Sequence, residues 1–390
     1  MTLLSMSALL AALAFAASTA TADAPSPATY LDSALALADH ITATMPAITA
    51  AADSIADRMV AGHTLWLGGS YEGFIVEGYY RAGGMMKAAW LKQPSDLKPG
   101  DALLLGTVSA SNPADAALIT AAHQRGAFVV RIGPGRPDLG LALPCEPIGA
   151  SNKLPLISVG DTMMLWTLTG EIVGALTRRG KMTPMFESVL VPGGTARNAE
   201  HLKLLWEPTC PAPQREGSLG RIYLWHLTHY LRDLKATQLP KFEQAGALIR
   251  EAIAANHKVY LIPFGHLPPY EVALPPDPGV FTKLPSDTNG KALAKVVQQG
   301  DLVVYIGYYE LPADLVDAAH AAGAKVVSFV AGTPDRFAGA MGADVNIEAC
   351  WPFGDAAVEV PGYDVHILPP SGVMTSVAYW MLTATQATPQ

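Results

Sequence analysis

The chain has 390 residues, half of them apolar and only 15% charged, with a formal net charge of −8 and a pI near 5.7. This excludes a disordered chain, which requires few apolar residues and many charges. It also leaves no basic footprint for nucleic acid, and the length suits two or three domains.

Residues 1–24 stand apart as a predicted signal peptide. Leu9 to Ala17 is an apolar run too short to span a bilayer comfortably. Ala20-Thr21-Ala22-Asp23-Ala24 offers small-residue cleavage sites, and Pro25 follows. An exported protein, periplasmic or extracellular, is the expectation, with no stable membrane anchor after cleavage. Met1 to Ser7 carries no Lys or Arg, and if the segment is not a signal the protein is cytoplasmic. Cys145, Cys210 and Cys350 match no zinc spacing and permit at most one bridge, Cys145–Cys210; buried free thiols are the expectation.

In residues 25–191, Ile48, Ala52, Ile55 and Met59 recur at helical spacing and Gly62 closes the helix. His63 to Gly68 follows as a short strand. Strands are then predicted at Ala102–Leu105, Phe128–Ile132 and Leu154–Val159, with helices at Pro113–Gln124 and Thr162–Thr177. Residues 192–240 read as a linker containing an amphipathic helix, whose Trp225, His226, His229 and Tyr230 are expected to pack against a neighbouring domain. In residues 241–390, Phe242, Ala245, Ile249 and Ile253 form a second stripe ending at Asn256. Strands are predicted at His257–Ile262, Leu302–Ile306, Lys325–Val330 and Val365–Leu368, with helices at Pro312–Ala322 and Val373–Thr383.

The two halves repeat each other. Gly100-Asp101 and Gly300-Asp301 each precede an apolar strand, and Ala121-Ala122-His123 and Ala318-Ala319-His320 each close the following helix. A period of roughly 200 residues marks a duplicated domain rather than a solenoid. Short apolar strands alternating with helices predict a doubly wound α/β layer in each copy, a parallel five-stranded sheet with helices on both faces. Ligands then belong outside the carboxyl ends of the strands. The paired histidines His63, His257, His123 and His320 are expected to serve helix ends, and His366 to be packed within its strand.

The candidate chemistry lies in the first copy. Gly69 and Ser70 lead from strand to helix, and Thr107, Ser109 and Ser111 form a second hydroxyl-rich turn before Asn112-Pro113. Backbone N–H groups at such turns bind anions, although Ser and Asn are also ordinary helix caps. The stretch Gly68 to Gly84 resembles the first loop and helix of SIS (sugar isomerase) domains. It is similar to a bacterial group reading roughly G-T-G-H-S and then A-E-E-L-F-Y-R-A-G-G, with Glu77, Tyr80, Arg81, Ala82, Gly83 and Gly84 in place. The turn at Thr107 to Pro113 resembles the family's S-N-S-G-x-N-P loop, and Gly354 to Gly362 resembles its segment before the last strand. The loop histidine of the family is absent here.

That resemblance implies tandem SIS domains binding a sugar phosphate or related carbohydrate derivative at the first copy. Gly69, Ser70, Thr107, Ser109, Ser111 and Arg81 are the expected binding residues. Glu77 is the candidate base for moving a proton between C1 and C2, or else an i, i+4 ion-pair partner of Arg81. In the second copy Glu310 stands where phosphate would sit, but His266 is placed to complete the first copy's site. The alternatives to an aldose–ketose isomerase are a non-catalytic binding module and a structural protein with degenerate sites. Metal and organic cofactor are not expected, and a homodimer is.

Overall fold

The computed structural model describes residues 25–134, 141–143, 154–272, 274 and 279–386. The expected signal segment and Cys145 lie outside them; Cys210 and Cys350 are free, and Cys210 is exposed rather than buried.

The first half runs α1 (Pro27–Ala43), α2 (Met45–Val60), β1 (Leu65–Gly68), α3 (Glu72–Gly78), β2 (Ala88–Trp90), β3 (Ala102–Gly106), α4 (Pro113–Gln124), β4 (Phe128–Ile132), β5 (Leu141–Leu143) and α5 (Ile157–Arg178). Between the halves come α6 (Gly194–His201) and α7 (Ser218–Asp233). The second half runs α8 (Leu239–Ala254), β6 (Val259–Pro263), α9 (Pro268–Glu271), β7 (Thr282–Lys283), α10 (Gly290–Leu293), β8 (Leu302–Ile306), α11 (Ala313–Ala321), β9 (Lys325–Val330), β10 (Val345–Glu348) and α12 (Ser371–Ala384).

Each half holds a five-stranded, all-parallel sheet, ordered β2-β1-β3-β4-β5 and β10-β9-β8-β6-β7. Read from the other edge, the second order repeats the first. This is the tandem SIS-like doubly wound fold expected from the sequence. The switch in strand order puts the open crevice of each sheet beyond β1 and β3, or β6 and β8.

Two strands differ from expectation. Leu154–Val159 is not a strand: Ile157 already begins α5, and the edge strand is β5. A short apolar run does not by itself separate strand from buried helix. Val365–Leu368 contributes only an antiparallel bridge between Val358 and Ile367. The fifth strand is β10, whose Asn346 and Glu348 reach the surface and break the apolar pattern.

Helices α5 and α12 are the hydrophobic centre. Every residue of α12 is buried, as is almost all of α5, the condition that produces a helix apolar on all sides. One hydrophobic cluster runs from β1 through these helices to β6 and β8. Helix α1 packs on α12, so the first half covers the last helix of the second, while α5 is covered by α2 of its own half and by α7 of the connecting segment.

The helix of the linker segment buries Leu219, Tyr223, Leu224, Leu227 and Leu231 instead of its aromatic–histidine face. Trp225 is 61% exposed and stacks on His229 at 5.8 Å. The tyrosine and leucines at 3.6-residue spacing fill the buried stripe and leave Trp225 outside. His366 is exposed, not packed. His63 and His257 lie with their rings against Gly100 and Gly300, where an added Cβ would stand 2.4 and 2.3 Å from the ring. Packing on these turns, more than a helix dipole, accounts for that pair.

Candidate functional site

The first-copy loop is built to approach β3 closely. Gly69 has φ of +118°, and a Cβ there would stand 2.4 Å from the Gly106 carbonyl. Ser70 follows, but its donors are already engaged. Its N–H donates to Asp115 Oδ1 at 2.7 Å and its hydroxyl to Oδ2 at 2.8 Å. Asn112 Nδ2 donates to the same hydroxyl at 2.9 Å, while Asn112 Oδ1 caps the N–H groups of Ala114 and Asp115. Asp115 is buried in the first turn of α4, where the helix dipole favours a carboxylate. The position expected for an external anion is thus filled by the chain's own.

The remaining hydroxyls do not converge there. Thr107 is fully buried, within hydrogen-bond distance of the Ile132 and Pro134 carbonyls, and it accepts from Arg131 Nε at 3.3 Å. Ser109 and Ser111 are exposed and face each other at 3.4 Å. Arg131 Nη2 donates to the carbonyls of Ser109 and Ala110, so its charge supports the loop from beneath.

Glu77 lies in the core with no exposed surface. Its Oε1 accepts from Trp166 Nε1 at 3.0 Å and from Arg81 Nε at 3.4 Å, and its Oε2 has no hydrogen-bond partner. The backbone of Gly372 closes over it, since a Cβ there would lie 2.1 Å from Oε1. Burial pushes the Glu77 carboxyl up, opposed by Arg81 and Trp166. Glu77 therefore makes the i, i+4 ion pair with Arg81 rather than facing a ligand.

Arg81 and His266 do come together, in a cleft of about 370 Å³ between the halves. Arg81 pairs with Asp355 at 2.9 Å and donates to Ser371 Oγ and, at 3.1 Å, to the Tyr308 hydroxyl. Asp355 also accepts the Ser371 N–H and hydroxyl at 3.1 and 2.8 Å. The guanidinium is buried but its pKa is raised, because Glu77, Tyr308 and Asp355 together outweigh desolvation. Burial in turn pushes the Asp355 carboxyl up against the pull of Arg81.

His266 is neutral. Burial, then the Arg81 charge, lowers its pKa to about 4, and a bond to the Val76 carbonyl resists this. Because a carbonyl only accepts, the 3.2 Å contact from Nδ1 to Val76 puts the proton on Nδ1 and leaves Nε2 as the acceptor. The His266 N–H donates to the Tyr308 hydroxyl at 3.1 Å. Tyr308 accepts from both Arg81 and His266, and neither bond uses its own hydrogen. Tyr80 and Phe186 form the aromatic side of the cleft, their ring centres 4.6 Å apart. Tyr80, Asp355 and Leu368 hold left-handed φ values of +54°, +51° and +66° around this cluster. Such conformations persist only where the surroundings fix them.

The second half carries a counterpart that the sequence reading did not draw. Glu271 stands as far beyond the start of β6 as Glu77 stands beyond the start of β1. It is fully buried, accepting from Trp380 Nε1 at 2.5 Å, Ser158 Oγ at 2.8 Å and Tyr71 OH at 3.1 Å. Burial raises its pKa to about 7 despite those donors. Trp166 of α5 and Trp380 of α12 thus hold equivalent glutamates, and counting from the strand starts would have found the pair. Asp355 and Tyr308 were also missed as site residues: one stands on a loop and the other replaces a hydroxyl-bearing turn.

No protein-family model matches the chain, and no curated protein matches it by sequence. Similar solved structures exist. A protein from Salmonella typhimurium LT2 described as sugar-binding superposes with a TM-score of 0.50 at 10% identity, over 91% of this chain and 98% of that one. The C-terminal domain of glucosamine-fructose-6-phosphate aminotransferase from Francisella tularensis gives 0.48 at 10% identity, over 92% and 96%. Tagatose-6-phosphate ketose/aldose isomerase from Escherichia coli gives 0.47 at 11%, over 92% of each chain. At these identities the likeness is one of fold.

Proposed function

We propose that this chain binds an unphosphorylated carbohydrate derivative in the cleft between its halves and does not isomerise it. The observation that carries this reading is the cleft itself. At about 370 Å³ it has the size for a small ligand. It sets the Tyr80 and Phe186 rings beside the Tyr308 hydroxyl, the His266 ring and the Asp355 carboxylate, groups that suit a sugar face and its hydroxyls. The left-handed residues around the Arg81–Asp355 pair favour a site held in shape for a ligand.

Two features argue against a phosphate and against catalysis. Arg81 is already shared by two carboxylates, and Asp115 occupies the Ser70 donors. Glu77 is sealed behind Gly372, and His266, with a pKa of about 4, is a weak base near neutral pH. An exported location, as expected from residues 1–24, accords with a ligand that is not a phosphorylated metabolite.

The test is calorimetric titration of the full chain with glucose, N-acetylglucosamine and their 6-phosphates. Saturable binding of a neutral sugar, lost in Tyr80→Ala, is the expected result. Tighter binding of the phosphates, or interconversion of aldose and ketose, would overturn it.

A further inference from the structure

The second sheet opens onto a larger cavity of about 660 Å³, beyond the carboxyl ends of β6, β8 and β9. Phe264, Tyr305, Tyr308, Tyr309 and Phe353 line it. Their rings form a continuous strip. Phe264 lies 6.4 Å from Tyr305 and nearly parallel to it, Phe264 meets Tyr308 edge-on at 5.8 Å, and Tyr309 lies 5.0 Å from Phe353. The charged groups of the lining are all acidic: Asp287, Glu310 and Asp314. Asp314 is engaged, accepting the Gly290 N–H at 2.7 Å. Asp287 and Glu310 are exposed and have neither hydrogen bond nor ion pair among the described residues.

We infer that this cavity binds an alkylated ammonium ion. Aromatic faces present the negative side of their quadrupole to a ligand, which attracts cations and suits apolar N-alkyl groups. Carboxylates without a compensating Lys or Arg in the lining add to that attraction and exclude an anion. The same strand ends that in the first half carry hydroxyls here carry rings and acids. Val189, Leu190, Tyr308 and Tyr309 line both the cavity and the cleft, and the Arg81 guanidinium, 5.4 Å from the Tyr308 ring centre, lines only the cleft. The inference is independent of what the cleft holds.

The probe is choline, compared by calorimetric titration at low salt with its neutral isostere 3,3-dimethyl-1-butanol, using the full chain. Choline is expected to saturate one site, with the isostere at least about tenfold weaker. Phe264→Ala and Glu310→Gln should each weaken choline about three- to tenfold, while Tyr80→Ala in the cleft leaves it unchanged. Both cavity residues are substantially exposed, and thermal melts verify that the variants fold; if Phe264→Ala does not, Glu310→Gln decides. Absence of saturable choline binding, equal binding of the isostere, or indifference to both substitutions would overturn the inference. Loss of sugar binding with choline binding intact would refute only the reading of the cleft.

Discussion

Asp115 holds Ser70 by two hydrogen bonds, one from the backbone N–H and one from the hydroxyl, at 2.7 and 2.8 Å. Both donors belong to a loop whose geometry otherwise suits an external anion. The carboxylate is buried and fixed by the start of α4, so the loop is internally complete.

Removing that carboxylate should uncover the loop. In Asp115→Ala, Ser70 loses both acceptors, and destabilisation of about 1–3 kcal/mol is expected from the unmade bonds. Inorganic phosphate should then raise the melting temperature of the variant and leave the parent chain unmoved. Equal phosphate response in both proteins would mean that Asp115 does not block the site.

Gly372 gives a sharper steric prediction. A glycine within a helix normally gains stability on replacement by alanine, by about 1 kcal/mol. Here the new Cβ would meet Glu77 Oε1 at 2.1 Å and its carboxyl carbon at 2.6 Å. Gly372→Ala should therefore destabilise by about 1–3 kcal/mol, measured by denaturant unfolding. A stabilising result would show that Glu77 is free to move aside.

How much of this was legible in the sequence divides along physical lines. Strands β4, β8 and β9 and helix α4 matched residue for residue, because each is a predominantly apolar run of five or six residues or a helix with an Asn cap and Pro at its start. The edge strands β2, β5, β7 and β10 escaped, since each is only two to four residues long, too short to show a pattern. Arg81 and His266, assigned to one site from the sequence, line one cleft, and the Glu77–Arg81 pair was visible as an i, i+4 spacing. What the sequence could not reveal was the capture of Ser70 by Asp115, or Gly372 closing over Glu77. Both contacts join residues far apart in the chain through loop geometry that no local pattern encodes. Trp166 and Trp380 sit inside the buried helices α5 and α12, where only their indole N–H groups set them apart from the core around them.

The exposed and buried tryptophans should behave oppositely. Trp225 stacks on His229 at the surface, so Trp225→Ala should change stability by no more than about 0.5 kcal/mol. Trp380 is fully buried and donates to Glu271. Trp380→Phe keeps an aromatic ring but strips the glutamate of a donor, for a loss of at least about 2 kcal/mol. Chemical denaturation of both variants checks the contrast. A large loss in Trp225→Ala would point to an interface that covers α7.

Glu271 makes stability depend on pH in a direction that can be stated. Its folded pKa, about 7, lies above the ordinary glutamate value of 4.5, chiefly through burial. The folded state therefore holds the proton more tightly than the unfolded state. Its stabilising contribution is complete below pH 4.5 and is lost as pH rises through 7. Unfolding free energy should fall across that window by an amount on the order of 3 kcal/mol from this group, with Glu77, Asp161 and Asp355, also shifted upward, acting in the same direction. Glu271→Gln mimics the protonated acid: its amide oxygen can accept from Trp380 and Ser158, and its NH2 can donate to Tyr71. Denaturant titrations at pH 5 and pH 7.5 should show a smaller difference in this variant than in the parent chain. If the two slopes coincide, Glu271 keeps one charge state in both the folded and unfolded chains, and the donors from Trp380, Ser158 and Tyr71 outweigh its burial.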